Sequence, residues 1–365
     1  MKRVAIIILS LTKGGAERVV CNMANEYLSD KYEVHIISLM KAKPAYELDS
    51  SVKLSFVDDS EKEYLEGMMK RFPRRRKKCF KLLKEINPDI VLSFLPEPNF
   101  IATSLRKKLG IPVIISVRND PAREYGSKMR NILMRRFYPK ADGYVFQTEN
   151  AKKYFSFSKH IIDDAVVIPN PINKAFVNAN IEQYIKKKVI LFVGRLEKQK
   201  NPLMLIEAFS AVHKEFPEYE LHIYGEGSLE NEIREKIAEL SLEKAVKLMG
   251  LSSEMQKVYG EAEIFVLPSD YEGMPNCLME AMAMGLFCIS TDCPCGGPGE
   301  MIENGVNGIL VPVGNRIAFS EGIMKMIRNK EEASQIGKNA SKITSRYLSS
   351  EIYSKWDEII ERVKC

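Results

Sequence analysis

Val-Ala-Ile-Ile-Ile-Leu-Ser-Leu, residues 4–11, opens the chain and is followed by Thr-Lys-Gly-Gly (12–15) and by a segment of helical periodicity over 16–28. The same order of short apolar run, turn and amphipathic helix recurs along the whole sequence. Such alternation is typical of βαβ units on a parallel sheet. The sequence therefore predicts an α/β fold.

The predicted strands fall into two groups separated by a polar stretch, 178–188. They are Val4–Leu11, Glu33–Leu39, Val52–Val57, Ile90–Phe94, Pro112–Val117, Gly143–Gln147 and Val166–Ile168, then Val189–Val193, Glu220–Tyr224, Val246–Met249, Ile264–Leu267, Phe287–Ser290 and Ile309–Val311. We predict two Rossmann-like, doubly wound domains, 1–172 and 186–345, and a C-terminal helix, 346–365, that packs back toward the first domain. Such sheets bind ligands at the carboxyl ends of their strands, which here predicts a central cleft between the domains.

Composition excludes several classes of protein. Hydrophobic residues make up 45% and charged residues 28% of the 365, a globular balance. No apolar stretch approaches the ~20 residues that span a bilayer, and the first strand lacks the cleavage site of a signal peptide. We therefore expect a cytoplasmic protein. Its seven cysteines fit reduced thiols, and Cys293-Pro-Cys295 alone is a weak metal signal.

The net charge of +6 is unevenly distributed. Residues 1–170 hold 31 Lys and Arg against 20 Asp and Glu, net +11, so the remainder is −5. The run 70–84 holds nine cations and no acid, and Arg74, Arg75, Arg76, Lys77 and Lys78 are its candidates for contact with an anionic membrane. Residues 128–138, with Met129 and Ile132 among several arginines, form a second candidate. A solvated helix face is the alternative; nucleic acid is disfavoured because no recognition motif is present.

The segment 271–280 follows a predicted strand and leads into a helix. Gly273 allows a tight turn, and Pro275 suits a first helical turn, whose free N–H groups can hold a phosphate. Glu272 and Glu280, eight positions apart, can address the two ends of one ligand. The alternative is a capping carboxylate and an ordinary surface glutamate.

Two cations flank the turn after strand Val189–Val193. Arg195 follows this strand directly, and Lys200 precedes the next helix, so the two can hold a diphosphate and stabilise its departure. The alternative is solvated loop charge. Adjacent acids that might instead bind a metal, Asp58-Asp59 and Asp163-Asp164, lack a convincing site, and we interpret them as surface residues.

Glycines mark two further turns. Gly14 and Gly15 begin a helix after the first strand and allow backbone N–H groups to approach a ligand, but they lack the spacing of a dinucleotide fingerprint or a P-loop. A nicotinamide-dependent dehydrogenase is disfavoured for that reason. The turn 224–228 is of the same kind and is as often a plain tight turn.

Taken together, G-R-L-x-x-x-K (194–200), E-x7-E (272–280) and the segment 290–308 resemble glycosyltransferase family 4, retaining enzymes of the GT-B fold, over nearly the whole chain. The resemblance is to bacterial members that build lipid-linked or surface polysaccharides. It implies that Arg195 and Lys200 hold the donor diphosphate, that Glu272 binds the sugar and Glu280 the ribose. The donor-binding residues so implied are Gly14, Gly15, Gly194, Arg195, Lys200, Glu272, Gly273, Met274, Pro275, Asn276 and Glu280.

One departure concerns the sugar. Many relatives carry a histidine after a first-domain strand, where this chain has Arg118 and Asn119, so these are our near-sugar candidates. The resemblance implies a UDP-sugar donor, and because Arg195 and Lys200 can hold its diphosphate we expect no metal or other cofactor. It also implies a saccharide acceptor, lipid-linked through a diphosphate, and a peripheral location at the inner face of the plasma membrane. A GDP-sugar donor, or a non-catalytic sugar-nucleotide-binding subunit, are the alternatives.

Overall fold

A computed structural model describes residues 2–12, 14–58, 63 and 67–364 of the chain. The chain divides into two compact units, the first formed by Met1–Asn170 with Ser350–Cys365 and the second by Pro171–Ser349. Each unit contains one fully parallel sheet covered by helices. The predicted pair of doubly wound α/β units is therefore confirmed.

The first unit holds a seven-stranded sheet in the order β3-β2-β1-β4-β5-β6-β7. Its strands are β1 Lys2–Ile8, β2 Tyr32–Met40, β3 Lys53–Asp58, β4 Ile90–Phe94, β5 Val113–Val117, β6 Gly143–Phe146 and β7 Ala165–Val167. The helices are Gly15–Met23, continued by a π-helix Ala24–Leu28 and by Ser29–Lys31, then Met68–Ile86, Pro96–Leu109, Pro121–Glu124, Lys128–Phe137, Glu149–Lys153, Lys159–Asp163 and the last helix, Ser349–Lys364, with a 3-10 turn at Tyr138–Lys140. The central strands are apolar because helices cover both faces.

The second unit holds a six-stranded sheet in the order β10-β9-β8-β11-β12-β13. Its strands are β8 Val189–Val193, β9 Glu220–Tyr224, β10 Val246–Gly250, β11 Ile264–Leu267, β12 Phe287–Thr291 and β13 Ile309–Val311. The helices are Lys174–Val177, Pro202–Glu215, Glu230–Glu239, Met255–Glu261, Asn276–Ala283, Gly297–Met301, Arg316–Arg328, Lys330–Ser341 and Ile343–Arg346, with 3-10 turns at Ile181–Gln183 and Lys198–Lys200. Strands β8 and β11 pair side by side, which brings the two predicted donor motifs to one sheet edge.

The last helix packs within the first unit. Its Trp356, the one tryptophan of the sequence, is buried with its ring 5.7 Å from that of Phe94, and Tyr353 stacks on Tyr27 at 4.9 Å. Lys31 pairs with Asp357 at the surface. Buried aromatic pairs of this kind stabilise a fold beyond the area they bury.

The basic helix differs from the prediction. It begins at Met68, ahead of the expected Arg74, and includes Pro73. Arg75 is fully buried and pairs with Asp58 at 2.7 Å and Glu97 at 2.8 Å. Asp58 is buried too, so its interpretation as a surface acid was wrong; Asp59 lies outside the described residues.

The neighbouring cations of this helix divide between its inner and outer faces. Arg74 pairs with Asp58 at 3.1 Å and Lys78 with Glu63 at 3.1 Å, while Arg76 donates to the Ser104 hydroxyl at 2.9 Å. Of the five residues predicted to contact a membrane, Lys77 alone has an exposed side chain, and the other four are buried or half-buried. The assignment of Arg75 to a membrane surface was wrong because its guanidinium neutralises two acids of the interior.

Candidate functional site

The centre of the second unit's site is a buried ion pair. Lys200 lies at the end of the 3-10 turn after β8, and its Nζ donates to Oε1 of Glu272 at 2.5 Å. The two residues are only 8% and 5% exposed. The Ser269 hydroxyl donates to the same carboxylate oxygen at 2.6 Å. The two motifs predicted from the sequence are therefore brought into direct contact.

Burial and charge act on Lys200 in opposite directions. Burial by itself lowers the pKa of the ammonium, but the adjacent Glu272 carboxylate outweighs it, so the net pKa of Lys200 is raised. The amine therefore stays charged at neutral pH. A lysine ammonium has three N–H groups, and Glu272 receives one of them. The remaining two can bind phosphate oxygens.

A set of polar contacts fixes the two loops against each other. The Asp270 N–H donates to the Gln199 carbonyl at 2.8 Å, and the Gln199 amide donates to the Tyr271 carbonyl at 2.9 Å. Asn201, in a left-handed backbone conformation (φ 47°), donates from Nδ2 to Asp270 at 2.8 Å. Our sequence reasoning assigned no role to Gln199, Asn201, Ser269 or Asp270. Gln199 lies within the first motif and the other three lie within three positions of one of the two motifs, which was the available signal.

Arg195 differs from Lys200 in exposure. Its side chain is exposed, and its Nη2 donates to the Gln199 Oε1 at 3.3 Å. Its loop is supported from behind by the turn 224–228, since Gly194 N–H donates to the Tyr224 carbonyl at 3.0 Å. Gly225 has a φ of +139°, and a Cβ there would overlap the Gly194 carbonyl. This turn therefore holds the Arg195 loop in place.

Glu280 lies on helix Asn276–Ala283, which begins directly after Pro275. It is 5% exposed, and its Oε2 accepts from the Tyr259 hydroxyl at 3.1 Å. The alternative interpretation of Glu280 as an ordinary surface glutamate is therefore wrong. A buried carboxylate held by a hydroxyl has the chemistry to accept hydrogen bonds from a ribose.

Gly273 and Met274, which precede this helix, contact a second loop. A Cβ on Gly297 would overlap the Gly273 carbonyl and would lie 3.2 Å from the Met274 Cα. Only glycine at 297 allows this approach, so the two loops are packed backbone against backbone. The role of Gly297 was not predicted, although it stands in the segment that carries the family resemblance.

Cys293 and Cys295 are both buried beside this site. Burial raises the pKa of the Cys293 thiol to about 12, so it is a protonated thiol at neutral pH, and its Sγ donates to the Ser269 carbonyl at 3.4 Å. Within 2–12, 14–58, 63 and 67–364, no group of three or more His, Cys, Asp or Glu side chains is placed to hold a metal ion.

The first unit carries the other predicted residues at the carboxyl edge of its own sheet. Gly14 caps helix Gly15–Met23, and its carbonyl accepts from the Tyr46 hydroxyl at 3.1 Å; Lys13 lies outside the described residues. The Glu17 carboxylate folds against Gly14, where an added Cβ would overlap it. A carboxylate at this helix start favours hydroxyl groups of a ligand over a second anion.

Arg118 and Asn119 follow β5. The Arg118 side chain is buried and donates to the Asn170 Oδ1 and, at 3.4 Å, to the Ser116 hydroxyl. Burial lowers its pKa to about 9. Asn119 turns back to accept from the Asp120 N–H at 2.9 Å. The structure thus places Arg118 in a buried polar cluster and Asn119 in a local turn.

Comparison with known proteins identifies the family of the chain. The model of glycosyltransferase family 4 matches residues 13–176, and that of the glycosyl transferases group 1 matches residues 174–343. An N-acetylgalactosamine-N,N'-diacetylbacillosaminyl-diphospho-undecaprenol 4-alpha-N-acetylgalactosaminyltransferase of Campylobacter jejuni is 31% identical over 349 residues, which cover 90% of this chain and 91% of that protein.

Two further proteins are similar over nearly their whole lengths. The GalNAc-alpha-(1->4)-GalNAc-alpha-(1->3)-diNAcBac-PP-undecaprenol alpha-1,4-N-acetyl-D-galactosaminyltransferase of the same organism is 27% identical, covering 100% of this chain and 99% of that one. A crystal structure of S. aureus TarM with Fondaparinux, alpha-GlcNAc-glycerol and UDP has a TM-score of 0.79 at 16% identity, covering 98% and 99% of the two chains. The chain therefore belongs to glycosyltransferase family 4 and is a glycosyltransferase of the GT-B fold that acts in glycan biosynthesis.

Proposed function

We propose that the protein transfers a hexose or N-acetylhexosamine from a UDP-sugar to a saccharide carried on a lipid diphosphate, with retention of anomeric configuration. The observation that carries this proposal is the buried Lys200–Glu272 pair beside the exposed Arg195. The Campylobacter jejuni relatives, named for undecaprenol-linked acceptors, and the UDP bound to TarM support the choice of acceptor and donor.

The charges of the site suit departure of a nucleoside diphosphate. Lys200 is fixed by Glu272, and Arg195 extends from the same loop after β8, so both cations are in place before the sugar–phosphate bond breaks. The N–H groups at the start of helix Asn276–Ala283 add partial positive charge. In this proposal Glu272 binds the sugar and Glu280 the ribose of the nucleoside. No metal enters this proposal.

The acceptor implies a peripheral location at the inner face of the plasma membrane. In the part of the chain that the structure describes, no helix is long and apolar enough to cross a bilayer. Lys70, Lys77, Lys81 and Lys84 form an exposed stripe on helix Met68–Ile86. Helix Lys128–Phe137 exposes Met129 and Ile132, 62% and 52%, and contains four cations and no acid. A basic surface with exposed apolar side chains is suited to bind an anionic bilayer.

The experiment is a donor panel with the purified protein. UDP-sugars and GDP-mannose are incubated with a polyprenyl-diphosphate-linked saccharide, and nucleotide release and the extended lipid are both measured. We expect turnover with a UDP-sugar and an α-linked product. Turnover with GDP-mannose and with none of the UDP-sugars would show that the donor is a GDP-sugar. Binding of nucleotide without turnover on any acceptor would favour a partner subunit.

Co-sedimentation with vesicles tests the membrane part separately. Wild-type protein is expected to bind anionic vesicles at low salt and to dissociate at high salt, because exposed charges are screened within a Debye length. A variant with Lys70, Lys77, Lys81 and Lys84 changed to Gln should bind less. Equal binding to neutral vesicles, or no binding to anionic ones, would contradict membrane attachment.

A further inference from the structure

A second candidate site lies at the opposite edge of the first unit's sheet. A cavity of about 1010 Å³ is lined by residues that precede strands, including Asp142 directly before β6 and Asp164 directly before β7. The residues of the proposed donor site, such as Gly14 and Arg118, instead follow strands. The cavity therefore belongs to neither the donor loops nor their sheet edge.

Cationic residues from three separate segments line this cavity. They are Arg106, Lys107 and Lys108 at the end of helix Pro96–Leu109, Lys140 in the 3-10 turn Tyr138–Lys140, and Arg362 in the last helix. The sequence separation of these segments hides the cluster from any motif search. Five cations face two carboxylates here, which leaves a net charge of +3 with His160 neutral.

Both carboxylates already have partners. Asp142 accepts two hydrogen bonds from Arg106, at 2.5 and 3.0 Å, and Asp164 lies 2.9 Å from His160 Nδ1. Among the described residues no carboxylate pairs with the remaining four cations. Three of these four contact neutral groups: Lys108 lies over the Phe80 ring and Lys140 over the Phe137 ring, at 4.1 and 4.7 Å, and Arg362 donates to the Asp164 carbonyl.

We propose that this cavity binds a phosphate-bearing ligand, either a free phosphorylated molecule or a phosphate headgroup of a lipid. Several positive charges around one concave surface repel each other and produce a strong positive potential. Binding of a compact polyanion lowers this repulsion. Arginine matches two phosphate oxygens through its planar fork, and lysines supply further point charges. The proposal does not depend on the identity of the donor or acceptor.

Pyrophosphate binding measured by calorimetry tests the proposal. The cavity variant carries Lys107→Gln, Lys108→Gln, Lys140→Gln and Arg362→Gln. The control carries Lys153→Gln, Lys214→Gln, Lys244→Gln and Lys338→Gln, which make the same charge change at exposed lysines elsewhere. We expect the cavity variant to bind roughly tenfold or more weakly, the loss of several charge-assisted contacts, with the control close to wild type. Both sets of substitutions are also made in a Lys200→Ala background, which removes a donor-site contact to a diphosphate, so that the comparison in that background reports on the cavity.

Vesicles of phosphatidylcholine with and without phosphatidic acid distinguish the two sources of phosphate. Loss of phosphatidic acid binding in the cavity variant would assign the site to a lipid headgroup, and loss confined to pyrophosphate would assign it to a free phosphate. Thermal unfolding of each variant checks that it is folded. The proposal is overturned if wild type binds neither probe, if the cavity variant binds both like wild type, or if the control loses as much. The role of these cations would then be limited to a favourable interaction with the dipoles of the helices whose C-terminal ends hold several of them.

Discussion

The Nζ of Lys200 and the Oε1 of Glu272 lie 2.5 Å apart in the interior of the second unit, 72 positions apart in sequence. The pair joins the loop after β8 to the loop after β11, two strands that are neighbours in the sheet. One carboxylate thus fixes the cation that we assign to the leaving diphosphate. The pair therefore contributes both to the stability of the fold and, in our proposal, to turnover. Variants are needed that change one of these two quantities without the other.

Lys200→Ala should lower both the stability of the protein and its turnover. It leaves Glu272 as a buried charge without its cation, which costs about 3–5 kcal/mol of unfolding free energy, and it removes a contact to the leaving group. Adding Glu272→Gln removes the stranded charge, so the double variant should regain stability while turnover stays low. Denaturant unfolding and turnover with the active donor check this. A double variant that recovers both would show that Lys200 acts on the fold alone.

Arg195→Ala should lower turnover without lowering stability. The side chain is exposed, so its removal leaves no buried group unpaired. Loss of one preorganised charge contact to a transition state lowers turnover roughly tenfold to a thousandfold. Lys198→Ala, an exposed cation in the adjacent 3-10 turn, is the matched control and should turn over like wild type. Equal losses in both variants would point to general loop charge rather than to a diphosphate contact.

Gly297→Ala should impair donor binding. Its Cβ would overlap the Gly273 carbonyl, so the loop before helix Asn276–Ala283 must move. Gly299→Ala is the control, since its Cβ would meet only the Asp292 Oδ1 at 3.3 Å. We expect a rise in KM for the donor of about tenfold or more in the first variant, because a small misplacement of positioning groups is costly. Unchanged KM in Gly297→Ala would mean that the contact is dispensable for binding.

Removal of metal should leave activity in place. In our proposal Lys200 and Arg195 hold the diphosphate, so these two cations take the role of a divalent ion. Turnover in excess EDTA should match turnover without it. Loss of activity with EDTA and rescue by Mn²⁺ or Mg²⁺ would overturn the metal-independent mechanism.

Local pattern was enough to predict the strands, because buried parallel strands are short apolar runs between turns. The donor motifs were also visible, since each follows one of these runs. Arg75 could not be placed in this way: a run of cations looks uniformly solvated until the fold brings Asp58 and Glu97 to one member of it. Short helices such as Lys159–Asp163 were missed, although Ser158 accepts from the Ile161 N–H as an N-cap does.

Substitution should destabilise the protein at Arg75 and have little effect at Lys77. Arg75→Ala leaves the buried Asp58 carboxylate with Arg74 as its partner and removes one partner of Glu97, so it should lower the free energy of unfolding by about 1.5–3 kcal/mol, the cost of losing hydrogen bonds to charged groups. Lys77→Ala, two positions away and exposed, should change it by less than about 0.5 kcal/mol. Denaturant unfolding of both variants checks this. A small effect of Arg75→Ala would show that the buried ion pairs contribute little to stability.

Glu124 should make stability depend on pH. Burial raises its pKa to about 8, although Arg130 lowers it in part, with Asp120 opposing and Tyr125 hydrogen-bonded to it. Among the described residues its Oε2 has no hydrogen-bond partner. The folded protein therefore holds this proton more tightly than the unfolded chain, where the ordinary pKa is 4.5. The resulting stabilisation is complete below pH 4.5 and is lost as pH rises through about 8.

Glu124→Gln removes this titration because the amide has no proton to lose. Between about pH 5 and 9, the unfolding free energy of wild type should fall relative to that of Glu124→Gln, and the two curves should run parallel above that range. Glu182→Gln, at an exposed glutamate of the second unit, should keep the wild-type pH profile. Denaturant unfolding at intervals of pH gives all three curves. A constant difference between wild type and Glu124→Gln across the range would mean that the carboxyl ionises in the folded protein as it does in the unfolded chain.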